Sequence, residues 1–168
     1  HYKASKDSNL SFKNNNIYLV DSGAQYNDGT TDITRTIIIG KPTSEQKDRF
    51  TRVLKGHIAI ATINFSRNTK GSSLDAFARK SLQEINCDYD HGTGHGIGSF
   101  LSVHEGPQRI SKPKGQRNDN DENIEEGMIL SNEPGYYKEG EYGILIENLV
   151  ICCSSIDQNL YFETISWA

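Results

Sequence analysis

The chain has 168 residues and a formal net charge of −4, enough length for one domain with its own core. A pI near 5.7 argues against the basic face of a nucleic-acid binder, and no run approaches the ~18 apolar residues of a membrane helix. The three cysteines, Cys87, Cys152 and Cys153, have neither zinc-site spacing nor the look of a disulfide framework, which fits a reducing, cytoplasmic setting. The chain opens at His1 rather than Met and reads as a piece of something longer.

Residues 3–16 are rich in Asn, Ser and Lys and read as a surface loop. Ile17 to Val20 and Ile33 to Ile39 are strand-like runs around Asn27-Asp28-Gly29, a strong hairpin signal. Asp21 and Asp32 sit near the inner ends of the two strands, and facing carboxylates repel unless a positive charge lies between them. A two-residue turn at Asp28-Gly29 would set Asp21 opposite Thr36 and Asp32 opposite Gln25, over ~10 Å apart along the sheet. A shared ion therefore requires a bulge, or a loop centred nearer Tyr26 and Asn27.

Lys41-Pro-Thr43 ends the second strand, and Thr43-Ser-Glu-Gln46 forms a capping box for a helix expected to reach about Ser66. Phe50, Val53, Leu54, Ile58, Ala61 and Phe65 give it a buried stripe. After a break at Asn68-Thr-Lys-Gly71, a second helix capped by Ser72 or Ser73 carries Leu74, Phe77, Ala78, Leu82 and Ile85.

The character changes at His91-Gly-Thr-Gly-His95-Gly-Ile-Gly98. Four glycines in eight residues make a helix improbable, so the two histidines are not a helical zinc motif. Alternate glycines let the backbone approach something closely, and His95 could then reach a metal. No Gly-Lys-Ser/Thr follows, which discounts a phosphate loop. Val103-His104-Glu-Gly-Pro107 reads as a short turn with a third histidine. Singly each histidine is unremarked structural chemistry; three within fourteen positions, flanked by glycine, suggest a site.

Residues 111–127 form a charged, solvated loop, with 118–122 resembling a small insertion. Gly127 to Leu130 reads as a buried strand leading to Glu133 at a Pro-Gly turn. A second turn at Glu139 to Gly143 makes Met128 to Val150 a further hairpin. Leu145, Glu147 and Leu149 share one face of the return strand, and a glutamate buried there needs a cation or a proton. Asp21, Asp32, Glu133, Glu147 and His95 together suit a hard or borderline divalent ion, and four carboxylates exceed what one ion needs. Two ions about 3.5–4 Å apart would neutralise them and supply metal-assisted amide hydrolysis.

These motifs, with Asp28-Gly-Thr-Thr-Asp-Ile-Thr-Arg-Thr36, Glu133-Pro-Gly-Tyr-Tyr137 and Ile146-Glu-Asn148, resemble the Xaa-Pro aminopeptidases of the eukaryotic cytosolic type over nearly the whole chain. The resemblance implies the α+β pita-bread fold shared with methionine aminopeptidase and prolidase: a curved antiparallel sheet with helices on its outer face. It implies that residues 1–168 are part of a C-terminal catalytic domain, incomplete at its N-terminus and without the N-terminal domains. It further implies two divalent ions, Mn²⁺ by preference. Asp21 would chelate one, His95 and Glu133 would hold the other, and Asp32 and Glu147 would bridge them.

By the same resemblance Glu133 takes a proton from the attacking water bridging the two ions. His91, His104 and His1 line the substrate site, where His91 and His104 assist catalysis by steadying the scissile carbonyl. The implied substrates are peptides with proline at the second position, and the implied assembly is a homodimer through the catalytic domain. One departure stands out: the family motif carries arginine where this chain has Leu145. That leaves open an inactive peptide-binding relative, besides prolidase or methionine aminopeptidase activity.

Overall fold

The computed structural model describes residues 5–100, 102–113 and 121–166. His1 lies outside the described residues, as do residues 118–120 of the expected insertion.

β1 (Asn16–Tyr26) and β2 (Gly29–Ile39) pair as an antiparallel hairpin of their own. Tyr26 faces Gly29, so the two-residue turn is Asn27-Asp28, one residue earlier than the reading at Asp28-Gly29. That single step sets Asp32 opposite Gly23 and Asp21 opposite Thr34, with no bulge needed. Residues opposite one another share a face, so Asp21 and Asp32 become diagonal neighbours roughly 7–8 Å apart at the backbone. The loop position, not a bulge, removes the misfit.

α1 (Ser44–Ala61) begins at the expected capping box: Thr43 Oγ1 accepts from Gln46 N, and the Gln46 side chain accepts from Thr43 N. It stops at Ala61, short of Ser66. Thr62-Ile63-Asn64 are poor helix formers, and Phe65 gains more in β3 (Asn64–Phe65), opposite Leu160 and 5.1 Å from the Phe162 ring. α2 (Gly71–Gln83) has Lys70 at its N-cap and no cap from its own start. Asp121, inside the stretch read as an insertion, accepts from Ser72 N and Oγ and satisfies that end from afar. Phe77 is half exposed, so the buried stripe of α2 is Leu74, Ala78 and Leu82.

β4 (Gly94–Ile97), β5 (His104–Ile110), β6 (Ile129–Asn132), β9 (Asn148–Ser154) and β10 (Leu160–Thr164) join β3 in an antiparallel sheet ordered β3-β10-β9-β6-β4-β5. The segment from His104 is thus a strand rather than a turn, paired through Arg109 to His95. Between β6 and β9, β7 (Gly135–Lys138) and β8 (Tyr142–Leu145) form a separate hairpin. The single hairpin expected from Met128 to Val150 is therefore two ladders with a break. Asn132 faces Asn148 below the break and Gly135 faces Leu145 above it, so one register runs through both. Glu133 and Glu147 occupy the facing positions at the break.

Both helices pack on one face of the sheet. Ile60, Leu74 and Ala78 close over Ile110, Leu130, Val150, Leu160 and Phe162. Alternation then sends Ser131 and Glu133 to the opposite face. Among the described residues, no helix is long and apolar enough to cross a membrane.

Candidate metal centre

Two hairpins and one strand meet on that opposite face. β2 docks against the break through a set of bonds: Glu147 N donates to Thr34 O (3.1 Å), Thr34 Oγ1 to Glu147 Oε2 (2.7 Å), Arg35 Nη1 to Glu147 O (2.6 Å) and Thr36 Oγ1 to Leu145 O (2.8 Å), while Leu145 N donates to Thr36 Oγ1 (2.9 Å). The Asp21–Asp32 pair is thereby carried to the Glu133–Glu147 pair. β4 delivers the histidine. A Cβ at Gly94 would stand 2.0 Å from the Ser131 carbonyl oxygen, and one at Gly96 2.1 Å from that of Glu105. The alternate glycines do serve close approach, and what approaches is the backbone of the neighbouring strands.

The result is a cavity of about 350 Å³ lined by Asp21, Asp32, His95, His104, Glu133 and Glu147, with Gly23, Ala24, Gln25 and Val103. No lysine or arginine is among these lining residues. The ligand atoms of Asp32, His95 and Glu147 lie within 4.8 Å of one another, and His95 Nε2 is 3.2 Å from Glu133 Oε1 and 3.5 Å from Asp32 Oδ2. Ser131 Oγ accepts from His95 N and donates to Glu133 Oε1, both at 2.9 Å, joining two of the expected ligands through one hydroxyl.

The electrostatics ask for a cation. Burial, then the Glu147 charge, pushes Glu133 up to about 8, and burial, then Asp32 and Asp21, does the same to Glu147 despite the Thr34 hydroxyl. Burial, then Asp21, raises Asp32 to about 6. The imidazole is ready to ligate: Nδ1 faces the Gly96 carbonyl at 2.9 Å, which only accepts, so the proton sits there and Nε2 keeps its lone pair. Burial lowers the His95 pKa and favours that neutral ring. The donor set fits two divalent ions, as the carboxylate count implies.

The other histidines are placed unequally. His104 packs against His95 with ring centroids 4.2 Å apart and the planes tilted by 47°, and it lines the cavity. His91 is half-buried and sits beside the lining rather than in it; its Nδ1 donates to Gly92 O, and its Nε2 accepts the Tyr137 hydroxyl proton at 2.9 Å. Leu145 is buried, and a methyl of it faces Gly135 next to His91 Nε2 and the Tyr137 oxygen. It belongs to this neighbouring group and not to the cavity wall, where a shared strand face with Glu147 would have put it.

Sequence reasoning missed the supports. Thr34 is fully buried two residues beyond Asp32, where the period of two would have found it. Arg79, 2% exposed, donates to Asp75, Asp88, Tyr89 O and His91 O, and its guanidinium lies 3.8 Å above the Tyr89 ring. Thr93 Oγ1 donates to Asp75, and Thr93 O accepts from Glu133 N at 2.7 Å, so this buried cluster holds the backbone on which His91 and His95 ride. Nothing in the spacing of Asp75 and Arg79 separates that role from an ordinary helical ion pair.

Known proteins resemble this chain over most of its length. Aminopeptidase P2 of Arabidopsis thaliana is 52% identical over 150 residues, 89% of this chain and 21% of its own length. Xaa-Pro aminopeptidase 1 of Dictyostelium discoideum is 50% identical over 151 residues, 90% of this chain and 23% of its own. The chain thus spans about a quarter of the length of these relatives. Among solved structures, the X-prolyl aminopeptidase of Caenorhabditis elegans, described as a cytosolic enzyme with a di-nuclear active site, superposes with a TM-score of 0.87 at 38% identity, covering 98% of this chain and 27% of that one. Prolidase from Pyrococcus furiosus follows at 0.76 and 28%, covering 93% and 43%. The fold is the α+β pita-bread fold. The model of metallopeptidase family M24 matches residues 1–153, and the chain belongs to that family.

Proposed function

We propose that the full chain is a metal-dependent aminopeptidase that releases the first residue from peptides with proline second, using a water bridging two divalent ions. Residues 1–168 are part of its catalytic domain. The observation that carries this reading is the convergence of four carboxylates and a lone-pair-bearing imidazole on one cavity whose lining residues include no lysine or arginine. Asp21 would hold one ion, His95 and Glu133 the other, with Asp32 and Glu147 shared between them. Divalent ions held by these residues, Mn²⁺ by preference, would supply Lewis acidity to a water and to the scissile carbonyl.

The chain's own groups supply the rest. Ser131 and Thr34 hydroxyls orient the Glu133 and Glu147 carboxylates, leaving the second oxygen of Glu133 free of that bond to accept a proton. His104, on the cavity wall, would donate to a substrate carbonyl, and His91, bonded to Tyr137, would line the substrate's approach. His1 completes the substrate side by resemblance.

The aminopeptidase names of the relatives support this specificity over that of a prolidase. Cytoplasmic residence is proposed from the cytosolic description of the nematode enzyme and the free thiols of Cys87, Cys152 and Cys153. A homodimer is proposed by resemblance, to be read by light scattering. The deciding assay gives the full chain Mn²⁺ and compares Arg-Pro-Pro, Ala-Pro and a Met-Ala peptide. Release of arginine from the tripeptide is expected; cleavage of Ala-Pro alone would indicate a dipeptidase, and no cleavage a binding relative.

A further inference from the structure

α1 turns a polar side chain toward the sheet. His57 is 9% exposed, and Gly56 beside it lets α2 pack so closely that a Cβ there would meet Ala78 O at 2.2 Å. A buried imidazole in such a place needs partners. Its Nδ1 lies 3.1 Å from the Asn132 carbonyl oxygen, and Asn132 Nδ2 donates back to the His57 carbonyl at 2.9 Å. The Ile146 carbonyl also lies near the ring.

Those two carbonyls have a specific address. Asn132 immediately precedes Glu133, and Ile146 immediately precedes Glu147, the facing residues at the break between the two ladders. At the break strand pairing lapses: Ile146 N donates to Pro134 O at a long 3.4 Å, and Glu147 N turns away to Thr34. Asn132 Oδ1 is buried without a partner, a destabilising feature that an apolar residue would avoid. The Asn132 amide is therefore poorly explained as a stabiliser of the core. It is well explained as the other half of a clasp with His57.

We propose that His57 is a positioning residue that aims Glu133 by holding the Asn132 peptide unit just before it, so that this carboxylate reaches the same pair of ions as Glu147 across the break. Alternation along β6 turns Asn132 to the helix side and Glu133 to the cavity, so a grip on one fixes the aim of the other. The role is geometric and requires no change of charge on the ring. It rests on the two-ion reading above.

The test titrates the metal-free full chain with Mn²⁺, following stepwise affinity by calorimetry and the spin-coupled signal of a paired site by electron paramagnetic resonance. The unaltered chain should bind two ions and give the coupled signal; if it binds only one, the two-ion reading itself falls. His57→Leu is expected to weaken the second ion by about 10–100-fold and to reduce the coupled signal at stoichiometric Mn²⁺. His57→Asn, which keeps a donor near the Nδ1 position on a shorter side chain, should fall between. A His57→Leu chain that melts earlier yet binds both ions with unaltered affinity and coupling would show a purely structural histidine and overturn the proposal. If His57→Leu does not fold, His57→Asn decides by the same readings: weakened second-ion binding supports the clasp, and unaltered binding overturns it.

Discussion

Replacing Gly94 by alanine tests the packing that brings His95 to the carboxylates. The new Cβ would stand 2.0 Å from the Ser131 carbonyl oxygen and 3.1 Å from its carbon. Ordinary contact begins near 3.4 Å, so β4 and β6 must separate by about 1.4 Å. These strands have little to resist with: their ladder pairs Gly96 with Leu130, and the bonds His95 N to Ser131 Oγ and Glu133 N to Thr93 O supplement it. Overpacking costs about 1–3 kcal/mol, and each weakened hydrogen bond a further ~0.5–1.5 kcal/mol. A total loss of about 2–6 kcal/mol of stability is expected. Because His95 and Glu133 lie on opposite sides of the widened seam, their separation grows by roughly 1 Å, enough for about a 10²-fold fall in turnover. Denaturant unfolding of the full chain and kcat on Arg-Pro-Pro with saturating Mn²⁺ check both numbers. A variant with unaltered stability and turnover would show that the strands have slack, and that glycine at 94 is not what admits the histidine.

Other expectations follow from the charges. Glu133→Gln should lower kcat by several orders of magnitude, and exhaustive chelation should abolish activity that Mn²⁺ restores; activity surviving chelation would end the metal reading. Glu133 and Glu147 titrate near 8 in the metal-free fold and lower when unfolded, so the folded state binds more protons between pH ~4.5 and 8. Metal-free stability should therefore fall as pH rises through that window, and a flat or rising profile would refute the assignment. By the same shifts, metal loading at pH 7 should expel about one to two protons and almost none above pH ~9, measurable by calorimetry in buffers of different ionisation enthalpy. Leu145→Arg, restoring the residue the resemblance implies beside His91 and Tyr137, should raise kcat by roughly 10²–10³; an unchanged or lower rate would mean that leucine is compensated.

The residues that meet in the cavity were legible because they break local rules. Glu147 is a charge in an apolar strand, Glu133 sits before a Pro-Gly turn, and His95 stands among glycines that suit no helix. The details of register were not. Moving the β1–β2 turn by one residue changes Asp21's partner from Thr36 to Thr34, and turn propensity at Asn27-Asp28-Gly29 cannot choose between the two. The split of the second hairpin was hidden too, since both ladders keep one register and only the docking of β2 at Leu145 and Glu147 reveals the break. Ser131, His57 and Asn132 are invisible for a common reason: each makes a bond to a residue far away along the chain.

That separation bears on how the centre comes to exist during folding. Asp21 and Asp32 belong to one hairpin, and Glu133 and Glu147 to another, so each half of the centre closes over a short loop. The bond from Thr34 to Glu147 that unites them spans 113 residues. Compared with a hairpin loop of about a dozen residues, closing it costs roughly 2 kcal/mol more in chain entropy. Each half also gathers like charges that oppose the union. The halves should therefore form early and meet late, making docking of the two hairpins a slow step that divalent ions accelerate by screening the approach.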